Sequence, residues 1–301
     1  MRKLNVSKAK PYGGFTMNRW RFFRVIPIAG MALSSLLVST PGWALVTPWQ
    51  GTADYRAASS SANDEDLVGP FNTYDFGTGV VLLHNTTRPI GYQVGDVVNG
   101  YFQSFVQGHE LNAVPVTAPG LNTNYELTLI AQFQQRVTNI SSGVASLDLL
   151  GGFISLYFDT TPDRNYATDS GFSNDDVLLT GTLTAGDTLL RLARTFGASQ
   201  FELDLSGVFG SYDTDVYEPD TIGGAHANFN LRASLSDLAF LNTVSSVQGQ
   251  SKTGDGKALL AADGAIQLTE IPVPFAGWLF GPALAGLVAF NRRWRMSPAS
   301  A

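Results

Sequence analysis

Apolar and polar residues alternate along most of the chain between residues 45 and 245. In residues 124–138, Tyr125, Leu127, Leu129, Ala131 and Phe133 share one face, and Glu126, Thr128, Gln132 and Gln134 share the other. A period of two is that of a strand with one buried face. The pattern returns with Phe201, Leu203 and Leu205 against Glu202, Asp204 and Ser206, and again with Ala227, Phe229, Leu231 and Ala233. Residues 151–159 are apolar on both faces, which predicts a strand covered on each side. Residues 177–193 read as two strands about a turn at Gly186-Asp187, and residues 258–270 as a last strand pair about Asp263-Gly264. No long amphipathic stretch of helical period competes, and no repeat of fixed period occurs. The prediction is a mostly β body, an antiparallel β-sandwich or jelly roll over residues 45–245. Residues 246–270 are then last strands and a polar spacer.

Two apolar runs break the alternation, one near each end. Residues 25–38 form an uncharged run of fourteen, preceded by Arg19, Arg21 and Arg24. That is too short to span a bilayer, and small residues follow at Gly42 and Ala44. Residues 1–44 therefore read as a secretory signal peptide cut after Ala44, with Met17 as an alternative start. Residues 271–290 are twenty without a charge, enough for about 30 Å of helix. Pro272 and Pro274 open the run, where missing N–H groups cost nothing. Trp278 and Trp294 stand toward the two interfaces, and Arg292, Arg293 and Arg295 form a positive-inside stop. Gly277, Gly281, Ala285 and Ala289 make one helical face small enough for close approach of another helix.

Charge sharpens this organisation. Residues 1–44 hold seven Lys/Arg and residues 271–301 hold three, with no Asp or Glu in either segment. The 226 residues between them carry nine basic residues against all 25 acidic ones, a net charge of −16. Such a body does not bind a phosphate backbone, so nucleic acid is excluded as a partner. The absence of cysteine removes disulfides, thiolate metal sites and a thiol nucleophile.

The C-terminal pieces together resemble the PEP-CTERM sorting signal. They are Pro272-Val273-Pro274, the apolar helix of residues 276–290 with Trp278 and Gly281, and the cluster Arg292, Arg293 and Arg295. Val273 stands where the name-giving pattern has Glu, so the tail is closer to the VPLP-type variant. The resemblance covers residues 271–295, with 296–301 as a short tail. It implies export through the general secretion machinery of a Gram-negative bacterium and transient inner-membrane anchoring by the C-terminal helix. It further implies processing by an exosortase and a final place at the cell surface or in extracellular matrix. Proteins with this tail are linked as a class to biofilm, exopolysaccharide and floc formation. The acidic segment amid strands resembles the flocculation-associated subgroup. Exopolysaccharide is the partner this suggests for the body.

The body itself offers few chemical motifs. His84, His109 and His226 are dispersed, without metal-ligand spacing. There is no G-x-S-x-G elbow and no phosphate-binding P-loop. Acidic residues cluster in two places. Asp159, Asp163, Asp169, Asp175 and Asp176 form one group, and Asp213 and Asp215, with Glu218 and Asp220, form the other. Calcium takes six to eight oxygens from flexible acidic loops, so these are candidate calcium ligands, without EF-hand spacing. Solvated turns using Asp and Asn are the plainer explanation. No other cofactor is indicated. The expectation is a non-enzymatic matrix protein. A calcium-dependent, lectin-like carbohydrate-binding module is the first alternative. An extracellular glycoside hydrolase using two of the carboxylates is the second.

Overall fold

The computed structural model describes residues 47–62, 64–191, 200–232 and 237–271. The predicted signal peptide, its cut after Ala44, and the tail from Pro272 onward lie outside these residues. No helix among the described residues is long and apolar enough to cross a membrane.

The strands are β1 (Gly51–Asp54), β2 (Leu67–Phe71), β3 (Thr73–Asn85), β4 (Val97–Leu111), β5 (Val114–Val116), β6 (Glu126–Ser141) and β7 (Val144–Asp159). They continue as β8 (Asp176–Arg191), β9 (Gln200–Tyr212), β10 (Tyr217–Glu218), β11 (Ile222–Arg232), β12 (Ser246–Val247), β13 (Gln250–Ser251) and β14 (Lys257–Glu270). One short helix, α1 (Leu238–Thr243), lies between β11 and β12. Eight long strands run β3-β4-β6-β7-β8-β9-β11-β14, each antiparallel to the next, and β14 pairs back onto β3. The ring is closed, and its order follows the chain. This is an up-and-down barrel, and it corrects the expected sandwich or jelly roll while keeping the antiparallel β class.

Local sequence explains the meander. Ser142 and Gly143 join β6 to β7 with φ of 51° and 76°, the positive values a two-residue hairpin turn needs. Inward residues fill the ring, as an eight-stranded barrel permits. On β6 these are Leu127, Leu129, Ala131, Phe133 and Val137, all buried. Across the interior Phe229 packs against Phe102 at 4.6 Å and Phe76 at 6.0 Å between ring centroids. One inward polar contact joins β6 to β8: Gln135 Nε2 donates to Thr188 Oγ1 at 2.7 Å, while Gln135 Oε1 is buried without a partner. Gln134, Arg136, Glu202, His226, Asn228 and Asn230 face outward and are exposed. The interior is apolar, and the outer face mixes these polar residues with exposed Leu150 and Phe153 on β7, Val177 and Leu189 on β8 and Val208 on β9.

A small sheet, β10-β1-β2, lies beside an aromatic cluster of Trp49, Phe71, Tyr74, Tyr55 and Tyr217. Here the two ends of the body meet. Glu270 N donates to Thr47 O at 2.9 Å and Trp49 N to Leu268 O at 3.0 Å.

Several expected boundaries move. Residues 177–191 form no hairpin at Gly186-Asp187, because β8 runs through them with an irregular register near Leu183 and Ala185. A Cβ on Gly186 would lie 2.4 Å from Asp204 O, so glycine serves close strand packing rather than a turn. Asp263-Gly264 is likewise an irregularity inside β14, which pairs with β3 and β11 and closes the ring. Residues 246–251 are no spacer either. They form the β12-β13 hairpin, whose Val247 joins Leu241, Val244, Val80, Leu82 and Ala261 in a second apolar cluster.

Two excursions lie on the outer wall of β4 and β6. One is the β7-β8 loop, residues 160–175, and the other is the β12-β13 hairpin. They meet where Asp169 accepts from Gln248 N at 3.0 Å and Gly249 N at 2.7 Å. Tyr166 packs on Phe172 within the loop at 4.8 Å and joins the loop to α1 through Phe240 at 5.0 Å.

Candidate functional site

The first acidic group gathers at the base of the β7-β8 loop. Glu126 opens β6, Asp159 ends β7, and Asp163 follows in the loop. One carboxylate oxygen from each lies within 4.8 Å of the others. Glu126 is fully buried, and a buried carboxylate needs partners. Its Oε1 accepts from Asp163 N at 2.8 Å and Arg164 N at 2.9 Å. Its Oε2 is ion-paired with Arg164, whose guanidinium carbon sits 3.6 Å from the Phe105 ring centroid. Arg164 Nη1 also donates to Asn122 Oδ1 at 2.8 Å. Asp159 Oδ1 accepts from Thr161 N at 2.6 Å, turning the chain away from the strand.

Gly171 lets the loop fold back on this base. Its φ is +76°, and a Cβ there would stand 2.3 Å from Asp163 Oδ1 and 2.6 Å from Arg164 Cα. A side chain would meet both strain and collision.

Asp175 and Asp176 stand at the other end of the loop. Partial desolvation, a hydrogen bond with Asp159, and the charges of Asp159, Asp163 and Asp176 push the Asp175 carboxyl up to about 6. A raised carboxyl binds extra protons in the folded state, so it weakens the fold above about pH 6 and relaxes as pH falls toward 4. Asp175→Asn is expected to stabilise the protein at pH 7 by at most about 1 kcal/mol, because Asp175 is exposed and screened. Thermal melts of the two proteins at pH 7 and pH 5 check this. Equal differences at both pH values would remove the repulsion from the account.

Of the seven aspartates expected to be ligands, the structure brings Asp159, Asp163, Asp175 and Asp176 together. Asp169 does not join them, since its carboxylate holds the Gln248-Gly249 turn. Asp213 and Asp215 lie in the β9-β10 loop, where Asp213 Oδ1 accepts from Asp215 N at 2.9 Å in a local turn. Glu126 and Arg164 were not among the expected residues. The alternation placed Glu126 on the solvent face of β6, and nothing in the pattern shows that a loop covers that face. The carboxylate oxygens of Asp159, Asp163 and Asp175 are those that could receive a hard cation. Glu126 is committed to Arg164, which already supplies positive charge at the buried end.

His109 is the buried histidine. Its Nε2 lies 2.7 Å from Tyr55 OH, and its Nδ1 has no partner. The Phe71, Tyr74 and Tyr55 rings surround it at centroid distances of 4.8, 5.2 and 5.7 Å. Burial pushes its pKa down to about 3. Burial likewise pushes the Tyr55, Tyr74 and Tyr217 hydroxyls well above their ordinary value. All four groups are neutral at physiological pH, and Tyr74 OH and Tyr217 OH close the chain at 2.7 Å. The unfolded state therefore takes a proton on His109 below about pH 6.5 that the folded state refuses down to about pH 3. Stability present above pH 6.5 is lost as pH falls through that window, with a slope near 1.4 kcal/mol per pH unit from this one group. His109→Gln should flatten the pH 6.5–4 limb of the unfolding free energy. An unchanged slope in urea titrations would assign the limb to other groups.

The chain matches no family model, no curated protein and no solved structure.

Proposed function

We propose that this is an exported, non-enzymatic surface or extracellular-matrix protein, sorted by an exosortase and contributing to biofilm, exopolysaccharide or floc formation. The observation that carries the reading is the fit between the terminal signals and the folded body. Thr47, three residues after the predicted cut at Ala44, is hydrogen-bonded to Glu270, two residues before Pro272. Removal of both terminal segments would leave every barrel strand in place. The net charge of −16 over residues 45–270 supports a role in a hydrated exterior.

The test is the intact mass of the released protein from its host, with and without the exosortase. The expected mass lacks the residues up to Ala44 and shows a break near Pro272–Pro274 that requires the enzyme. A tail that persists in both strains would make residues 271–290 a permanent anchor and remove the matrix reading.

The carboxylate group favours a second reading, a calcium-stabilised β7-β8 loop. On that reading 1 mM calcium raises the melting temperature of the wild type and not of Asp159→Asn, whereas equal melts with calcium and with EDTA exclude it.

A further inference from the structure

The place where the two excursions meet on the barrel wall is a cleft of about 480 Å³, within the size range of small-molecule sites. Its floor is Gln103 on β4 and Ile130 and Gln132 on β6, and its sides are residues 169–174 and the Gln248-Gly249 turn. The lining is dominated by side-chain amides and hydroxyls: Gln103, Gln132, Gln248, Asn174, Ser170 and Ser173. It contains no Lys, Arg or His, and its one carboxylate, Asp169, is held by two backbone N–H groups.

Gln103 is 1 % exposed, and its hydrogen bonding is half complete. Its Oε1 accepts from Gln248 N at 3.3 Å, which fixes the orientation of the amide. Its Nε2 is buried with no partner. A buried donor left unmade costs about 1–3 kcal/mol, so the fold holds an unspent N–H group at the floor of an open polar cleft. The surrounding amides are otherwise fixed. Gln248 Nε2 donates to Phe102 O at 2.6 Å and Ala131 O at 3.2 Å, and its Oε1 accepts from Gln132 Nε2 at 2.8 Å. Gln248 and Gly249, with φ of +51° and +75°, are the two-residue turn of the β12-β13 hairpin, and that turn carries the Gln248 side chain onto the wall.

We propose that this cleft binds a neutral saccharide segment. Sugars offer neighbouring hydroxyls that donate and accept together, which is what planar amides and serine hydroxyls match. Phosphate, sulfate and carboxylate groups find no cation here. An apolar ligand would leave Gln103 Nε2 unpaired. A peptide cannot add as a strand, because β4 and β6 are paired on both sides at this level of the wall. That the saccharide belongs to a matrix polymer rests on the function proposed above, whereas the cleft and its chemistry do not.

The test is isothermal titration of the full-length protein, in mild detergent, with neutral pentasaccharides of glucose, mannose and galactose in α and β linkages. Asn174→Ala and Gln103→Leu are compared with the wild type. Binding of at least one pentasaccharide, weakened tenfold or more in both variants with the melting temperature of Asn174→Ala unchanged, is the expected result. If Gln103→Leu does not fold, Asn174→Ala and Gln132→Ala decide. Absence of binding by every sugar at 10 mM overturns the proposal, as does equal binding by wild type and variants. Binding of blocked tetra-alanine in place of the sugars overturns the ligand class. None of these outcomes depends on the tail. A saccharide-binding protein whose tail is never cleaved would sink the sorting reading and leave the cleft standing.

Discussion

Phe229→Ala is expected to lower the unfolding free energy by about 3–5 kcal/mol. Phe229 is 1 % exposed, and its ring joins Phe76 and Phe102 across the barrel interior. It also covers Gly264 on the neighbouring β14, where a Cβ would lie 2.8 Å from the ring. The strands around it are hydrogen-bonded on both sides in a closed ring, so the wall cannot move inward to fill the gap. The cavity is retained, and the cost approaches the upper end of the range. Since domains are stable by only about 5–15 kcal/mol, one truncation removes a large share. Urea denaturation gives the value directly. A loss below about 1 kcal/mol would mean that the interior is not close-packed.

Glu126→Ala is expected to cost about 2–4 kcal/mol, for a different reason. It removes the acceptor of two backbone N–H groups and the counter-charge of Arg164. Breaking a buried pair from one side costs about 3–5 kcal/mol, mostly because the remaining charge is stranded. Arg164 keeps a fifth of its side chain in solvent, which reduces that figure. Two comparisons separate charge from packing. Glu126→Gln should lose less, because an amide oxygen still receives the backbone donors. The double variant with Arg164→Ala should lose clearly less than the sum of the two single changes. Strict additivity in denaturant melts would show that the pair is not coupled. The loop base would also loosen, so the β7-β8 loop should become the first site of limited proteolysis in Glu126→Ala.

Both residues lie on strands whose alternation is visible in the sequence, yet only one could be placed correctly from it. The inward phase of β6, β9 and β11 is legible because a barrel strand alternates as any half-buried strand does: Leu127, Leu129, Leu203, Leu205, Phe229 and Leu231 are all buried. Glu126 and Thr128 share the outward phase with Gln134, but a loop distant in sequence covers them. Thr128 Oγ1 donates to Phe172 O there, at 3.1 Å. Periodicity reports the phase of a strand and is blind to what crosses over it. The same limit hid the cleft, since Gln103 reads as an outward polar residue and its burial comes from Gln248, 145 positions away. Closure of the sheet was equally hidden, because a sandwich and a barrel have the same period. Strand length carried a signal: β6, β7 and β8 run to 16 residues each, well beyond the usual five or six. Reading Gly186-Asp187 and Asp263-Gly264 as turns cut two such strands in half and concealed it.

The pairing of β14 has a mechanical consequence. β14 ends at Glu270, so a pull applied to its C-terminal side enters directly along the strand. That strand is laced to β3 over Lys257–Gln267 and to β11 over Ala261–Glu270. Tension along its axis shears two ladders at once, so their hydrogen bonds share the load and do not open one by one. A peripheral strand would peel away under the same pull. A protein tethered through this end could be dragged by a moving polymer or a flowing medium and keep its barrel.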